Sequence, residues 1–274
     1  MPDRKRQRRR IASLDEVTLR NTILALARRY DFEEGHSLQD ERLALRLFDE
    51  TARVGLHRLG CHPDHGQVNS LKIAKEGQES VMLSGSATQL PSRRDTSDRE
   101  ASLWEESPPD NDERLRYAQD DMAITSCSPR DILSSAAILH DIGYVEGYEQ
   151  HHKTAFRLIM ADPIPGLSPH DQTLIAHVAR YHRGGTPDPV KHPAFAALPT
   201  ADRSLVEQLG AIIRFADGLD RSHANAVADL RCALDGNRLI VTLLPGLDNE
   251  AERWAGQKKA RWFESVYGVQ VLLR

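Results

Sequence analysis

Apolar residues recur at intervals of three and four through most of this chain, so its dominant period is that of a helix with one buried face. The pattern predicts helices over residues 13–30 and 36–59, and again beyond residue 129. Pro163, Pro165 and Gly166 break one helical run. Ser168-Pro169 opens the next, with serine as N-cap and proline in the first turn. Near the end the period shortens to two. Residues 228–234 and 238–244 alternate around Asp235-Gly236, which predicts a β-hairpin, followed by a helix over 250–267 and a strand over 269–273. Trp254, Trp262 and Phe263 recur at near-helical spacing and are expected in the core. Between the helical stretches, residues 61–127 turn polar, with Ser-Gly-Ser, Pro-Ser-Arg-Arg-Asp and Ser-Pro-Pro-Asp-Asn-Asp-Glu in succession. Such a segment buries too little apolar surface to offset its ordering entropy, so it reads as a flexible insertion with at most a short strand pair over 72–83. The fold class is mainly α: a helical bundle with a small C-terminal α+β appendage of hairpin, helix and strand.

Several ionisable residues interrupt the apolar faces. Ala136-Ala137-Ile138-Leu139-His140-Asp141-Ile142-Gly143-Tyr144 puts a His-Asp pair where a core helix would carry leucine. His36 stands at the start of a segment with Leu43 and Leu47 at helical spacing, and His151-His152 head another. His177 and His182 lie on a third, five residues and so roughly 140° apart, which separates them. Leu205, Leu209, Ile213 and Asp217 follow at intervals of four, so a carboxylate continues a stripe that faces the core. Burying such groups without partners costs several kcal/mol, which leaves two readings, a bound cation or a buried ion-pair network. A mixed His/Asp set without cysteine suits a catalytic divalent metal (Mn, Fe, Ni, Zn or Mg) rather than a structural zinc. His140 and Asp141 point roughly 100° apart, so they could serve two ions or bracket one from a helix bend. His57, His62, His65, His170, His192 and His223 read as ordinary core or surface histidines.

Composition narrows the setting. The 274 residues, 40% hydrophobic, suffice for one well-buried core. A net charge of −4 gives no general reason to expect nucleic acid. Residues 4–10, almost all Arg or Lys, are the exception, and as a solvated tail or an arm for RNA, polyphosphate or an acidic partner they stand apart from the fold. No membrane span or signal core is read, and Cys61, Cys127 and Cys232 are odd in number and widely spaced, so a reducing, cytoplasmic setting is expected.

His36, then His140-Asp141 in Leu-His-Asp-Ile-Gly-Tyr, then Asp217 in Arg-Phe-Ala-Asp-Gly-Leu-Asp-Arg-Ser-His resembles the HD superfamily of metal-dependent phosphohydrolases. With Gln150-His151-His152-Lys153, Pro165-Gly166-Leu167 and Ala-Arg-Tyr-His-Arg at 179–183, residues 14–58 and 129–274 are similar to the C-terminal HD-type domain of the exopolyphosphatase/guanosine pentaphosphate phosphatase (Ppx/GppA) family. The resemblance does not extend to the actin-like module that performs polyphosphate chemistry in that family, since nothing before residue 140 reads as strand, Gly-rich turn and helix.

The resemblance implies an HD-type domain over 13–60 and 128–225, set off from a basic tail (1–12), the insertion (61–127) and an appendage (226–274) that is structural. It implies His36, His140, Asp141 and Asp217 as metal ligands for one or two ions, His140 and Asp141 being also catalytic. His151 and His182 complete a two-ion set, with His152 competing for the place of His151. Lys153, Arg183 and Arg221 are expected at phosphate, and Arg180 and Arg214 also flank the ligands. The implied substrate is a phosphorylated small molecule, a nucleotide before polyphosphate, cleaved by metal-activated water, and a homodimer is compatible with the family. The alternative is a non-catalytic module that binds polyphosphate or nucleotide, or docks on a separate phosphatase.

Overall fold

The computed structural model describes residues 16–59, 127–161, 163–244 and 249–274. The insertion expected over 61–127 lies outside the described residues apart from Cys127. So do the 72–83 strand pair, the basic run 4–10, His62 and His65. Eight α-helices and a three-stranded sheet make up the described residues. Helix α1 (Glu16–Arg28) and α2 (Glu34–Arg53) precede α3 (Pro129–Leu139), which runs into a 3-10 turn (Ile142–Glu146). Then follow α4 (His151–Ala161), α5 (Pro169–Arg180), the short α6 (Pro193–Ala196) and α7 (Thr200–Gly218). The appendage is β1 (Asp229–Asp235), β2 (Arg238–Leu244), α8 (Glu250–Tyr267) and β3 (Gln270–Leu273). Mainly α with a small α+β end is thus the fold observed. No helix among the described residues is long and apolar enough to cross a membrane.

Local chemistry accounts for the boundaries. Ser168 caps α5 through Oγ, which accepts from the Asp171 amide at 2.9 Å with Pro169 behind it, as its sequence predicts. Ser128 and Asp131 form a reciprocal capping box on α3. Helix α2 ends at Arg53, short of the predicted 59, because Gly55 takes φ +81 and its amide turns back to the Ala52 carbonyl. Tertiary burial does the rest: Leu43 and Leu47 of α2 pack with Ile132, Leu133 and Ile138 of α3 and with Leu209 and Ile213 of α7, all fully buried.

The sheet order is β1-β2-β3. β1 and β2 pair antiparallel, with Asp235 opposite Arg238 across a two-residue turn, and β3 joins β2 in parallel after the α8 crossover. Both outer edges are closed by helix side chains. Arg46 and Arg53 donate to the carbonyls of Leu230 and Cys232, and Glu50 accepts from the Cys232 amide. On β3, Glu264 accepts from the Val271 amide and Gln257 donates to its carbonyl. Unpaired strand edges invite foreign strands, so this closure keeps a small sheet confined to one chain.

One expected core residue is not there. Phe263 is fully buried and Trp262 packs partly against the core, but Trp254 is 61% exposed. Nine residues separate Trp254 from Phe263, which turns it about 180° to the opposite face of α8. Helix α8 crosses α7 at Gly218 and Gly256, where a Cβ on Gly218 would lie 2.9 Å from the Gly256 Cα.

Two outcomes follow. In an unconstrained helix Gly→Ala is stabilising by up to about 1 kcal/mol. Gly218→Ala is instead expected to lower the midpoint of urea unfolding, because the added methyl forces α8 off α7. His177 is buried among Phe156, Tyr181 and Phe195, and burial pushes its pKa down to about 3. Below pH 6.5 the unfolded chain therefore takes up a proton that the folded chain refuses, so stability is full above 6.5 and is lost as pH falls toward 3. In His177→Phe, stability measured by denaturant titration should fall less steeply over that window, by up to about 1.4 kcal/mol per pH unit.

Candidate metal centre

Five elements converge on one buried cluster. α2 supplies His36 from its first turn and Asp40 one turn later on the same face. His140 and Asp141 follow the last residue of α3, where the chain changes from α-helix to 3-10 turn. Asp141 sits at φ −106, ψ 5, and this bend lets both side chains face inward. The expected His-Asp pair therefore ends the apolar helix rather than interrupting it. His151 begins α4, His182 lies just beyond α5, and Asp217 closes the apolar stripe of α7. Gly143 makes the approach of α4 feasible, since a Cβ there would fall 2.0 Å from the His151 carbonyl oxygen.

The Asp141 carboxylate is shared between two groups of imidazoles. Its Oδ2 lies 3.3 Å from His140 Nε2 and 3.7 Å from His36 Nε2. Its Oδ1 lies 3.2 Å from His151 Nε2 and 3.4 Å from His182 Nε2, and those two nitrogens are 3.2 Å apart. Around the first oxygen, Asp40 Oδ2 stands 3.6 Å from His36 Nε2 and 3.5 Å from His140 Nε2, and Asp217 Oδ1 stands 3.8 Å from His36. Donors bonded to one ion at about 2.0–2.2 Å stand roughly 3–4 Å from each other, whereas direct charge-assisted hydrogen bonds close to about 2.7–2.9 Å. The spacing is one that could hold a metal ion.

Hydrogen bonding fixes the tautomers. The Nδ1 of His140, His151 and His182 lies 2.7–2.8 Å from the carbonyls of Ala137, Tyr148 and Ala179, and that of His36 lies 2.8 Å from Asp220 Oδ2. Each ring donates outward and turns its Nε2 lone pair into the cluster, the arrangement that orients imidazoles toward a metal. His140 Nε2, both oxygens of Asp40 and Asp141 Oδ1 are buried without a hydrogen-bond partner. Such orphaned atoms are costly unless a cation satisfies them.

The electrostatics point the same way. Burial, with the nearby Asp217 charge, pushes the Asp40 carboxyl well above the usual range. Burial also works against Asp141, yet the His140 charge, with His151 and His182 close by, holds it well below. Asp217 is likewise opposed by burial but drawn down to about 2 by Lys259, whose ammonium bonds its Oδ2. His140, despite its burial, is raised to about 10 by Asp141, Asp40 and Asp217, whereas burial and the His140 charge press His182 well below the ordinary range. Three carboxylates crowd one pocket and one of them is driven toward its neutral form. A divalent ion relieves that conflict more completely than a proton on one imidazole.

All six sequence-predicted ligands (His36, His140, Asp141, His151, His182 and Asp217) come together. His152 points away, its Nε2 2.8 Å from the Cβ position of Gly184. His177 packs in its separate aromatic pocket. His57 bonds Thr51, His170 bonds Asp202 and His192 bonds Tyr181, as ordinary histidines do. His223 is closer than expected, stacked on His36 at 3.8 Å with Nδ1 2.9 Å from Glu33. Of the expected phosphate ligands, Arg183 follows His182 directly and lies over the Tyr148 ring. Lys153 sits on α4, where its charge acts on His152, and Arg221 is exposed beyond α7. Sequence reasoning missed Asp40, Asp220 and Lys259. The His36-to-Asp40 spacing of four was a usable signal; Asp220 and Lys259 carried none, being recognisable only by what they touch. Lys259 also shows that the appendage, expected to be structural, reaches the site.

A helical domain holding a buried His/Asp constellation that could bind a metal ion is the class this geometry defines. Residues 114–249 are similar to the family Ppx/GppA phosphatase, domain III. The matched segment contains His140, Asp141, His151, His182 and Asp217, while His36, Asp40 and Lys259 lie outside it. No curated protein matches the chain.

Asp40→Asn separates a metal site from an ion-pair network. Because burial and the Asp217 charge disfavour the charged form of Asp40, the neutral Asn should hold or raise the melting temperature of chelator-treated protein while abolishing the stabilisation conferred by added Mn or Ni. In the wild type that stabilisation should reach about 4 kcal/mol at a thousandfold excess over Kd. A variant that melts lower without metal and still responds to it would contradict the assignment.

Proposed function

We propose that the protein is an HD-type, metal-dependent phosphohydrolase acting on a nucleotide or another phosphoester or phosphoanhydride. The observation that carries this reading is the set of four histidines whose outward nitrogens are tied down while their Nε2 atoms converge on Asp141. His36, Asp40, His140 and Asp217 form one group that would hold an ion, and His140, Asp141 and His182 form another, with His151 beside Asp141. Imidazole and carboxylate donors suit Mn, Fe, Ni, Zn or Mg. When bound there, a divalent ion would supply Lewis acidity toward a phosphoryl oxygen and lower the pKa of water to about 7.

The remaining steps fall to the chain itself. Asp220 holds His36 in the required tautomer. Lys259, bonded to Asp217, would donate a proton to the leaving oxygen. Arg183 offers its planar fork to the phosphoryl group from the segment after His182. The α2 and α3 core keeps bulk water from the inner ligands, since His140 and Asp40 are wholly buried.

The test is turnover of a phosphoester and nucleotide panel by chelated protein reconstituted with Mn, Ni or Mg. Asp141→Asn should abolish both metal content and hydrolysis while circular dichroism stays unchanged. Asp220→Asn should cost about 10–100-fold in metal affinity or activity. Hydrolysis that survives Asp141→Asn, or metal-loaded wild type that cleaves nothing on the panel, would leave the non-catalytic binding module as the account.

A further inference from the structure

His36 is anchored differently from the other three histidines of the cluster. His140, His151 and His182 each turn Nδ1 to a backbone carbonyl of their own segment, that of Ala137, Tyr148 or Ala179. Local geometry therefore orients those rings. His36 stands in the first turn of α2, and its Nδ1 reaches instead to Asp220, a side chain 184 positions away. A hydrogen bond tolerates a broad range of angles, so this one sets the direction of Nδ1 more tightly than the plane of the ring.

The segment after α7 supplies the plane. It is wound around Asp220, whose carbonyl accepts from the His223 amide at 3.1 Å and whose Oδ1 accepts from the Asn225 amide at 3.1 Å. Buried Glu252 of α8 holds it from the other side, accepting from the Ser222 amide at 3.0 Å. His223 and Asn225 both take positive φ, +56 and +53. Residues other than glycine keep such conformations where their surroundings enforce them, and functional sites are where they gather. Here the outcome is that the His223 ring lies flat on the His36 ring, with centroids 3.8 Å and planes 2° apart. Glu33 clamps it there, both carboxylate oxygens lying 2.9 Å from His223 Nδ1. Glu33 directly precedes α2 and its side chain makes no capping bond to that helix, which leaves the carboxylate for His223. The His223 side chain is 34% exposed and the His36 side chain beneath it 1%, so the upper ring stands between the ligand and solvent.

We propose that His223 is a positioning residue for the metal centre: clamped by Glu33, its ring fixes the plane of His36 and keeps water off it, so that His36 Nε2 stays aimed into the cluster. The proposal rests on the metal-centre reading in taking that Nε2 as a ligand. Asp220 and His223, three residues apart on one loop, thereby hold the edge and the face of the same imidazole.

Two readouts on chelator-treated, full-length protein test it. Calorimetric titration with Ni(II) gives metal affinity, and NMR of 15N-histidine-labelled, metal-free protein gives the rate at which the His36 Nδ1 proton exchanges with water. His223→Ala should weaken Ni binding by about 10–100-fold, the usual cost of losing a group that orients a ligand, and should speed that exchange. His223→Phe keeps a ring but not the bond to Glu33, and it carries the same backbone penalty at positive φ as alanine. It should restore both readouts toward the wild type, which a merely structural role for residue 223 would not require. Should His223→Ala not fold, Glu33→Ala, on an exposed residue, should shift both readouts in the same direction. Wild-type Ni affinity in His223→Ala and Glu33→Ala, or a His223→Phe that behaves as His223→Ala does, overturns the proposal and leaves the metal centre standing. The expected exchange pattern in a protein that binds neither Ni nor Mn would keep the clamp on His36 and remove only the metal it serves.

Discussion

Asp141 carries one carboxylate between two pairs of histidines, and much of the domain is arranged to keep it there. Each of its oxygens faces two Nε2 atoms at 3.2–3.7 Å. To reach that position the chain leaves the α-helical conformation after α3 and tightens into a 3-10 turn. α4 then packs so closely on that turn that only glycine fits at 143. The helix-to-turn change and the missing side chain serve one end: they aim consecutive residues into the same pocket, which a continuous helix would send about 100° apart.

The cost of that arrangement is electrostatic. Three carboxylates and four imidazoles are gathered where water is scarce, and the orphaned atoms on Asp40, His140 and Asp141 mark what the chain alone leaves unsatisfied. A core filled with leucine at these positions would be more stable, so the cluster makes physical sense as the frame for a cation. The surrounding contacts fit that view. Asp220, Lys259 and three backbone carbonyls do not enter the cluster, but they fix the tautomer or charge state of the groups that do.

The appendage gains a role from the same geometry. Its strands are sealed at both edges by side chains of α2 and α8, so the sheet is a brace and not a pairing surface. What it braces is α8, the helix that lays Lys259 against Asp217. The bundle and the appendage thus meet at the site, and a cut at residue 225 would part Lys259 from Asp217.

The sequence by itself determined the helical period, the hairpin at residues 235–238, the serine cap on α5, and the six residues whose polarity contradicts their apolar surroundings. Those are local properties, written in spacing and in the mismatch between a side chain and its neighbours. Tertiary structure alone decided that Asp220 locks His36 from 184 positions away and that Lys259 neutralises Asp217. It likewise turned Trp254 outward, since periodicity locates a face but cannot say which of two faces the neighbouring helix covers. The physical reason is common to all of these. Spacing reports which positions leave water together, whereas the partner each one meets depends on how close two helices come, here set by Gly143, Gly218 and Gly256.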